Sequence, residues 1–341
     1  MTVLHALGSA ADGGAETYFT DLVAALARGG ESQVAAIRAH DGRLKALKRA
    51  RVPTTVLPFG GLLDWRTRRR LRAYAVDWKA SVLLAWMNRA ARHSPEGAWA
   101  RIGRLGGYYD LKNYRGFEAL VANTADIRDW MVREGWPAER AHHIPNFAAA
   151  RTPPPLLRAE FETPERVPLL LGMGRLHPSK AHDVSLRALQ RLPDAWLWIA
   201  GSGPLEAELK RLAEELGVAE RVRWLGWRDD ASALYRTADL CVFPSRFEPL
   251  GNVVIQAWAH GVPVVAARSV GPAALIHDGE DGRLVPVDDV EALASAVQEL
   301  IDDRALRYCL AERGRAVAAA EFSEEAVVPQ WRTLFARYGA R

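Results

Sequence analysis

Cysteine is scarce: Cys241 and Cys309 are the two in 341 residues, too few for a disulfide framework and without the spacing of a thiolate metal site. Both fall in apolar segments, one patterned as a strand and one as a helix. Two buried thiols in a reducing, cytoplasmic setting are therefore expected. No apolar run approaches the roughly 18 residues that a bilayer span needs. The opening MTVLHALGSA is too short and too poorly charged for a secretory leader, so none is expected. There is no Gly-x-Gly-x-x-Gly fingerprint and no Lys in a phosphate loop, and no short-period repeat. No Asp-x-Asp metal motif occurs. The nearest approach, Asp278-Gly279-Glu280, lies in a turn signal, so no metal site is expected.

What is present is ordinary globular composition, 49% hydrophobic and 25% charged, which excludes a disordered or fibrous chain. The length suggests roughly two domains. Net charge is +4 but uneven. Residues 1–150 hold 22 basic and 14 acidic side chains, and the remainder 23 and 27, giving +8 and −4. The excess concentrates between Arg43 and Arg72, where ten basic residues face Asp64 alone. Such a stretch is either a solvated helix face or a contact for an anionic surface, lipid or phosphorylated glycan. Nucleic acid is not expected as a partner, because no recognised binding module accompanies the charge.

Apolar periodicity alternates between strand and helix along the whole chain. In the first half, strands are expected at residues 2–7, 33–37, 54–58, 81–85, 101–105 and 120–123. Helices are expected at 17–28, 43–51, 63–79, 86–100 and 124–134. His93-Ser94-Pro95 reads as a surface turn. Residues 148–168, with Pro153-Pro154-Pro155, read as an interdomain connection. Strands at 169–173, 196–200, 222–225, 240–243 and 262–267 then alternate with helices. Helices at 289–302 and 305–321 and an amphipathic helix at 329–338 close the chain. The pattern predicts an α/β protein of two Rossmann-like, doubly wound domains facing across a cleft.

One stretch organises the second half: FPSRFEPLGNVVIQAWAHGVPVVAA, residues 243–267. It reads as strand, loop, helix, strand. The first free N–H groups of the helix face the loop, and a helix N-terminus carries roughly half a positive charge, which suits a phosphate. Glu248 stands one turn earlier, an odd place for a carboxylate if the ligand were only an anion. A polyol beside a phosphate accounts for both, and that combination is a nucleotide sugar.

On these residues the stretch resembles the donor site of retaining glycosyltransferases of the GT-B fold, the large family numbered four (group 1 type). That family's signature is a Glu, seven residues and a second Glu. Here the first is Glu248, but the position eight later is Gln256. The loop GSAADGGAE, residues 8–16, resembles the family's Gly-Gly-Ala-Glu loop, in which Gly13 and Gly14 would approach the donor diphosphate. Taken alone it fits equally a helix entry turn with Glu16 complementing the dipole. His143-Ile144-Pro145-Asn146 resembles the turn that closes the family's first domain. The active-site His of the family has no counterpart, because Gly106-Gly107 stands at the aligned place.

The resemblance implies a role for each matching position. Arg175 and Lys180 would grip the diphosphate leaving group; taken alone, they read first as a surface pair. Glu248 would bind the transferred sugar. The Leu250, Gly251 and Asn252 amides would hold diphosphate oxygens. Gly203 and the Trp227-Arg228 loop would face the nucleobase. Gln256 would meet the ribose, one hydroxyl as acceptor and the other as donor. Domains are expected at residues 1–150 (acceptor), 151–168 (linker) and 169–320 (nucleotide sugar), with 321–341 crossing back to the first.

The resemblance thus implies a metal-independent, retaining transferase moving a sugar from a nucleoside diphosphate sugar, its donor substrate, to an envelope glycan or glycolipid of lipopolysaccharide type. It would use no cofactor and would work in the cytoplasm, peripheral on the inner membrane face through Arg43 to Arg72. Two alternatives stay open at this point: an inactive nucleotide-sugar- or glycan-binding scaffold, suggested by Gln256 and the missing His, and a sugar-nucleotide epimerase on a similar scaffold.

Overall fold

The structure is a computed structural model that describes residues 1–61, 64–149 and 152–340. The expected helix start at Leu63, residues 150 and 151 at the expected domain border, and the last residue lie outside the described residues. The chain divides into two compact units, Met1–Phe147 with Glu324–Arg341, and Ala148–Ser323.

The first unit runs β1 (Thr2–Leu7), α1 (Gly14–Arg28), β2 (Ser32–Ile37), α2 (Asp41–Arg49), β3 (Thr54–Val56), α3 (Trp65–Asp77), β4 (Ala80–Trp86), α4 (Met87–His93), β5 (Ala100–Leu105), β6 (Ala119–Ala122), α5 (Ala125–Arg133) and β7 (Ala141–His143). Its sheet is parallel throughout, in the order β3-β2-β1-β4-β5-β6-β7. The second unit runs β8 (Leu169–Met173), α6 (His182–Gln190), β9 (Trp196–Ala200), α7 (Glu206–Glu215), β10 (Val222–Gly226), α8 (Ala231–Thr237), β11 (Leu240–Phe243), α9 (Asn252–Ala259), β12 (Val264–Ala267), α10 (Val270–Leu275), β13 (Arg283–Val285), α11 (Val290–Asp302) and α12 (Arg304–Glu321). Its strands are likewise all parallel, in the order β10-β9-β8-β11-β12-β13. These are the two doubly wound sheets that the alternating pattern requires. α13 (Glu324–Gly339) belongs to the first unit, where the Trp331 indole donates to Tyr18 OH at 3.0 Å and Phe335 is buried.

In each sheet the strand order reverses once, between β1 and β4 and between β8 and β11. At such a switch point the loops at the carboxyl ends of two adjacent strands turn to opposite faces and leave a crevice, the usual ligand site of open α/β sheets.

Three expectations need correction. The helix expected over residues 86–100 is only Met87–His93; Trp86 ends β4 and Ala100 begins β5. Pro95 explains the stop, since the residue before a proline is pushed out of helical backbone. His93 and Ser94 are buried, not a surface turn. Ser94 Oγ donates to the Ala90 carbonyl at 2.9 Å, and His93 Nε2 lies 3.3 Å from the Gly60 carbonyl. Cys241 is buried, but Cys309 is exposed, because it lies on the solvent face of α12 beside exposed Tyr308. That helix packs on α9 at Gly314, where an added Cβ would stand 2.2 Å from Trp258 Cδ1. Trp258 is fully buried and donates to the Asp281 carbonyl at 2.8 Å. The helix bearing the site is therefore anchored from behind.

Residues 156–163 belong to the second unit and pack beside α8. The Leu156 N–H donates to Thr237 Oγ1 at 2.8 Å, and Arg158 donates to the Thr237 carbonyl and to Asp239, each at 2.9 Å.

Candidate active site

The loops after β8, β9 and β11 carry the chemistry of the second unit, and their backbones meet without room for side chains. The Gly174 N–H donates to the Ala200 carbonyl at 3.0 Å, Leu176 N–H to the Ser202 carbonyl at 3.0 Å, and Gly201 N–H to the Gly226 carbonyl at 2.8 Å. Gly201 has φ +156°, and a Cβ there would fall 1.9 Å from the Gly174 carbonyl oxygen. A Cβ on Gly203 would stand 2.4 Å from the Leu176 carbonyl oxygen. Gly203 thus lies against the Arg175-Leu176 loop.

Across the switch point, Lys180 forms an ion pair with Glu248 through Nζ and Oε2. Glu248 Oε1 accepts from the Gly251 N–H at 3.2 Å and lies 3.4 Å from that of Leu250. Gly251, with φ +92°, precedes α9 as its N-cap, and its left-handed backbone turns these amides toward the carboxylate. Glu248 therefore takes the seat at the helix N-terminus that the sequence assigns to diphosphate oxygens, and Lys180 is held by a carboxylate. Burial explains the pairing: the two side chains are 23% and 14% exposed, and a half-buried charge needs an opposite one beside it. The Glu248 carbonyl accepts from the Gly271 N–H at 2.7 Å, and a Cβ on Gly271 would meet the Leu250 backbone at 2.5 Å. Asn252 opens α9.

Arg175, near the start of the same loop after β8, is exposed, with no side-chain partner among the described residues. Gln256 sits one turn along α9; its Oε1 accepts from Tyr235 OH at 3.3 Å, so one of its polar atoms is engaged. Arg228 does not project as a free cation. It makes a two-pronged ion pair with Asp230, Nε to Oδ1 at 2.8 Å, and the Arg228 hydrogen bonds hold the Asp230 carboxyl below its usual range. Gly13 and Gly14 lie in the first unit: Gly13 is the extended N-cap of α1 and Gly14 its first residue.

Sequence reasoning missed Arg246. Its guanidinium donates to Asp183 at 2.6 and 3.0 Å, to Asp288 at 2.6 Å and to the Pro178 carbonyl at 2.8 Å. Its backbone N–H donates to the Ser179 carbonyl at 2.9 Å. It braces the Lys180 loop against the Glu248 loop. Its signal was a lone Arg two residues before Glu248, which the distant acids gave no reason to weigh. Buried His182 lies behind Lys180 with Nε2 3.3 Å from the Gly174 carbonyl, and burial pushes its pKa down to about 4.

Asp278 and its neighbours are structural. Asp278 Oδ1 accepts from the Leu284 N–H at 2.9 Å and Oδ2 lies 3.5 Å from Arg268. In the first unit, Arg43 is not on the basic surface. It is buried, and donates to the Ser9 and Ala11 carbonyls at 3.0 and 2.9 Å, fixing the loop that leads to Gly13.

The profile of the family described as "Glycosyl transferases group 1" matches residues 167–303, the segment that carries Arg175, Lys180 and Glu248. Two curated relatives come from Rhizobium meliloti (strain 1021). The lipopolysaccharide core biosynthesis glycosyltransferase LpsE is 36% identical over 329 residues, covering 95% of this chain and 96% of that protein. LpsD, of the same description, is 36% identical over 344 residues, covering 99% and 98%. Among solved structures, Anabaena Alr3699/HepE in complex with UDP-glucose superposes with a TM-score of 0.87 at 21% identity, over 99% of this chain and 100% of that one. Such a likeness speaks to fold, while identity sustained along nearly the whole length of the two curated relatives speaks to descent: the chain belongs to the group 1 glycosyltransferases of GT-B fold.

Proposed function

We propose that this glycosyltransferase moves a sugar from a nucleoside diphosphate sugar to a saccharide of the lipopolysaccharide core, with retention of configuration and without a divalent ion or cofactor. The observation that carries the reading is the meeting of Lys180, Glu248 and the N-terminus of α9 at the switch point of the second sheet. The relatives' printed role in lipopolysaccharide core biosynthesis supports the acceptor class. The UDP-glucose bound by a protein of the same fold supports the donor class.

In this reading the diphosphate displaces Glu248 Oε1 from the Leu250, Gly251 and Asn252 amides, and Lys180 turns with Arg175 onto its oxygens. Glu248, released, accepts from hydroxyls of the transferred sugar. The bond between the anomeric carbon and the diphosphate oxygen breaks as the acceptor hydroxyl attacks from the same face. Its proton passes to the departing phosphate, so no side-chain nucleophile is needed. Two cations and a helix dipole in a half-buried crevice stabilise the leaving charge where they act most strongly. Gly13 and Gly14 would offer backbone to a phosphate, the Gly203 and Arg228 loops would flank the base, and Gln256 would bond the ribose.

No helix among the described residues is long and apolar enough to cross a membrane. The proposed place of work is the cytoplasmic membrane face. Exposed Arg66, Arg69, Arg70 and Arg72 on α3, together with exposed Val76 and Trp78, support contact with anionic lipid. The test is incubation with a panel of nucleotide sugars and lipopolysaccharide core acceptors, with and without chelator. Transfer that survives chelation and keeps the donor's anomeric configuration is expected. Failure to bind any nucleotide at millimolar concentration would overturn the reading.

A further inference from the structure

The first unit contains a cavity of about 740 Å³ among the start of α3, the end of α4 and the segment after β5, within the roughly 300–1,000 Å³ typical of ligand pockets. Five cationic side chains line it, Arg68, Arg92, Arg101, Lys112 and Arg115, against two carboxylates, Asp64 and Glu96. Both carboxylates are already committed. Asp64 caps α3, accepting from the Gly60 N–H at 2.7 Å and the Thr67 N–H at 3.0 Å. Glu96 faces Arg101 at 3.3 Å. Arg101 is further fixed by the Gly116 carbonyl at 2.7 Å, and Arg92 donates to Asn113 Oδ1 at 3.1 Å. The side chains of Arg68, Lys112 and Arg115 have no hydrogen bond or ion pair to any described residue.

Three uncompensated cations around one concavity raise each other's cost, and an anion seated among them removes it. The wall also offers Trp65, 63% exposed, a flat amphipathic face of the kind that packs against a sugar ring. We propose that this cavity binds a saccharide bearing a phosphate or carboxylate group, with Arg68, Lys112 and Arg115 on the anion and Trp65 on the ring. Resting on the transferase reading above, it is the seat of an anionic sugar of the acceptor.

The test measures binding of glucose 6-phosphate, glucuronate, inorganic phosphate and glucose by calorimetry, to the wild-type chain and to K112Q/R115Q. Both substituted residues are exposed, and unchanged thermal unfolding verifies the fold. Expected is measurable affinity for the sugar phosphate or glucuronate, at least about tenfold above glucose, and a loss of about tenfold or more in K112Q/R115Q. Equal affinity in both proteins overturns the proposal, as does inorganic phosphate binding as tightly as the sugar phosphate. Displacement of the sugar phosphate by phosphatidylglycerol vesicles, but not by phosphatidylcholine vesicles, would make the occupant a lipid headgroup and also overturn it. Nucleotide-sugar turnover of the wild-type chain is followed in parallel. Turnover without the pocket effect sinks only the pocket, and absence of turnover sinks the transferase reading.

Discussion

Lys180 and Glu248 hold each other across the β8–β11 switch point, and the second oxygen of Glu248 closes the N-terminus of α9. The two side chains proposed to meet substrate thus hold one another in place beforehand. Removing either leaves its partner half-buried and unpaired. Glu248→Ala and Lys180→Ala are each expected to lower kcat/KM by about 10²-fold or more, the scale set by loss of one preorganised group on a developing charge. Steady-state release of nucleoside diphosphate measures it, and wild-type rates in either variant would remove these residues from the site.

Gln256 is the chain's departure from the two-carboxylate signature. Its Oε1 already takes a hydrogen bond from Tyr235, so in the proposed reading the amide N–H₂ would meet the ribose as donor. A carboxylate would accept from both hydroxyls, and charge-assisted bonds are roughly twice as strong as neutral ones. Gln256→Glu is expected to tighten nucleoside diphosphate binding several-fold in calorimetry, with transfer kept. Unchanged or weaker binding would place the ribose elsewhere.

Gly201 tests the backbone contacts beneath the site. Its φ of +156° and the 1.9 Å approach of a Cβ to the Gly174 carbonyl oxygen leave Gly201→Ala no accommodation without parting the β8 and β9 loops. Destabilisation of about 1–3 kcal/mol is expected, together with weakened nucleotide binding. Denaturant unfolding reads the first and calorimetry the second.

Acid sensitivity follows from two buried imidazoles. Burial lowers the pKa of His5 to about 3, amid Phe19, Trp86 and Phe335, and that of His182 to about 4. Both pKa values lie below the ordinary 6.5, so between those limits the unfolded chain binds more protons than the folded one. Stability contributed by the neutral rings is complete above about pH 6.5 and falls as pH drops toward 4 and then 3. Each of the two rings adds up to one proton to the slope, about 1.4 kcal/mol per pH unit, and burial lowers His142 and His143 in the same direction. Chemical denaturation from pH 7.5 to 4.5 should show the decline, and His5→Leu should make it shallower. A flat profile would contradict it.

The sheets were legible because parallel strands buried on both faces leave unbroken apolar runs such as Leu240-Cys241-Val242-Phe243, bounded by Asp239 and Pro244. β1, β8, β9 and β11 have the very bounds that the pattern predicts. The helix after β4 was misjudged because Trp, Arg and Ala carry helical propensity past the point where Pro95 forbids it. In the site, Glu248 and Lys180 could be singled out from their loops, but not their mutual pairing, since 68 residues separate them. Arg246 was missed for the same reason: its acids stand 63 and 42 residues away. The basic stretch was read as one surface, whereas a single member, Arg43, turned inward to bond two carbonyls.

The first unit is assembled from two distant pieces of chain, residues 1–147 and the helix that begins at Glu324. During synthesis the early piece waits, with Tyr18 and its aromatic neighbours uncovered, until the ribosome has made Trp331 and Phe335. The second unit, encoded in between and continuous, needs nothing made after Ser323. A nascent chain halted just past Ser323 would therefore carry a complete second unit tethered to a first unit that has its seven strands but not its closing helix, with apolar surface left open to a holding chaperone.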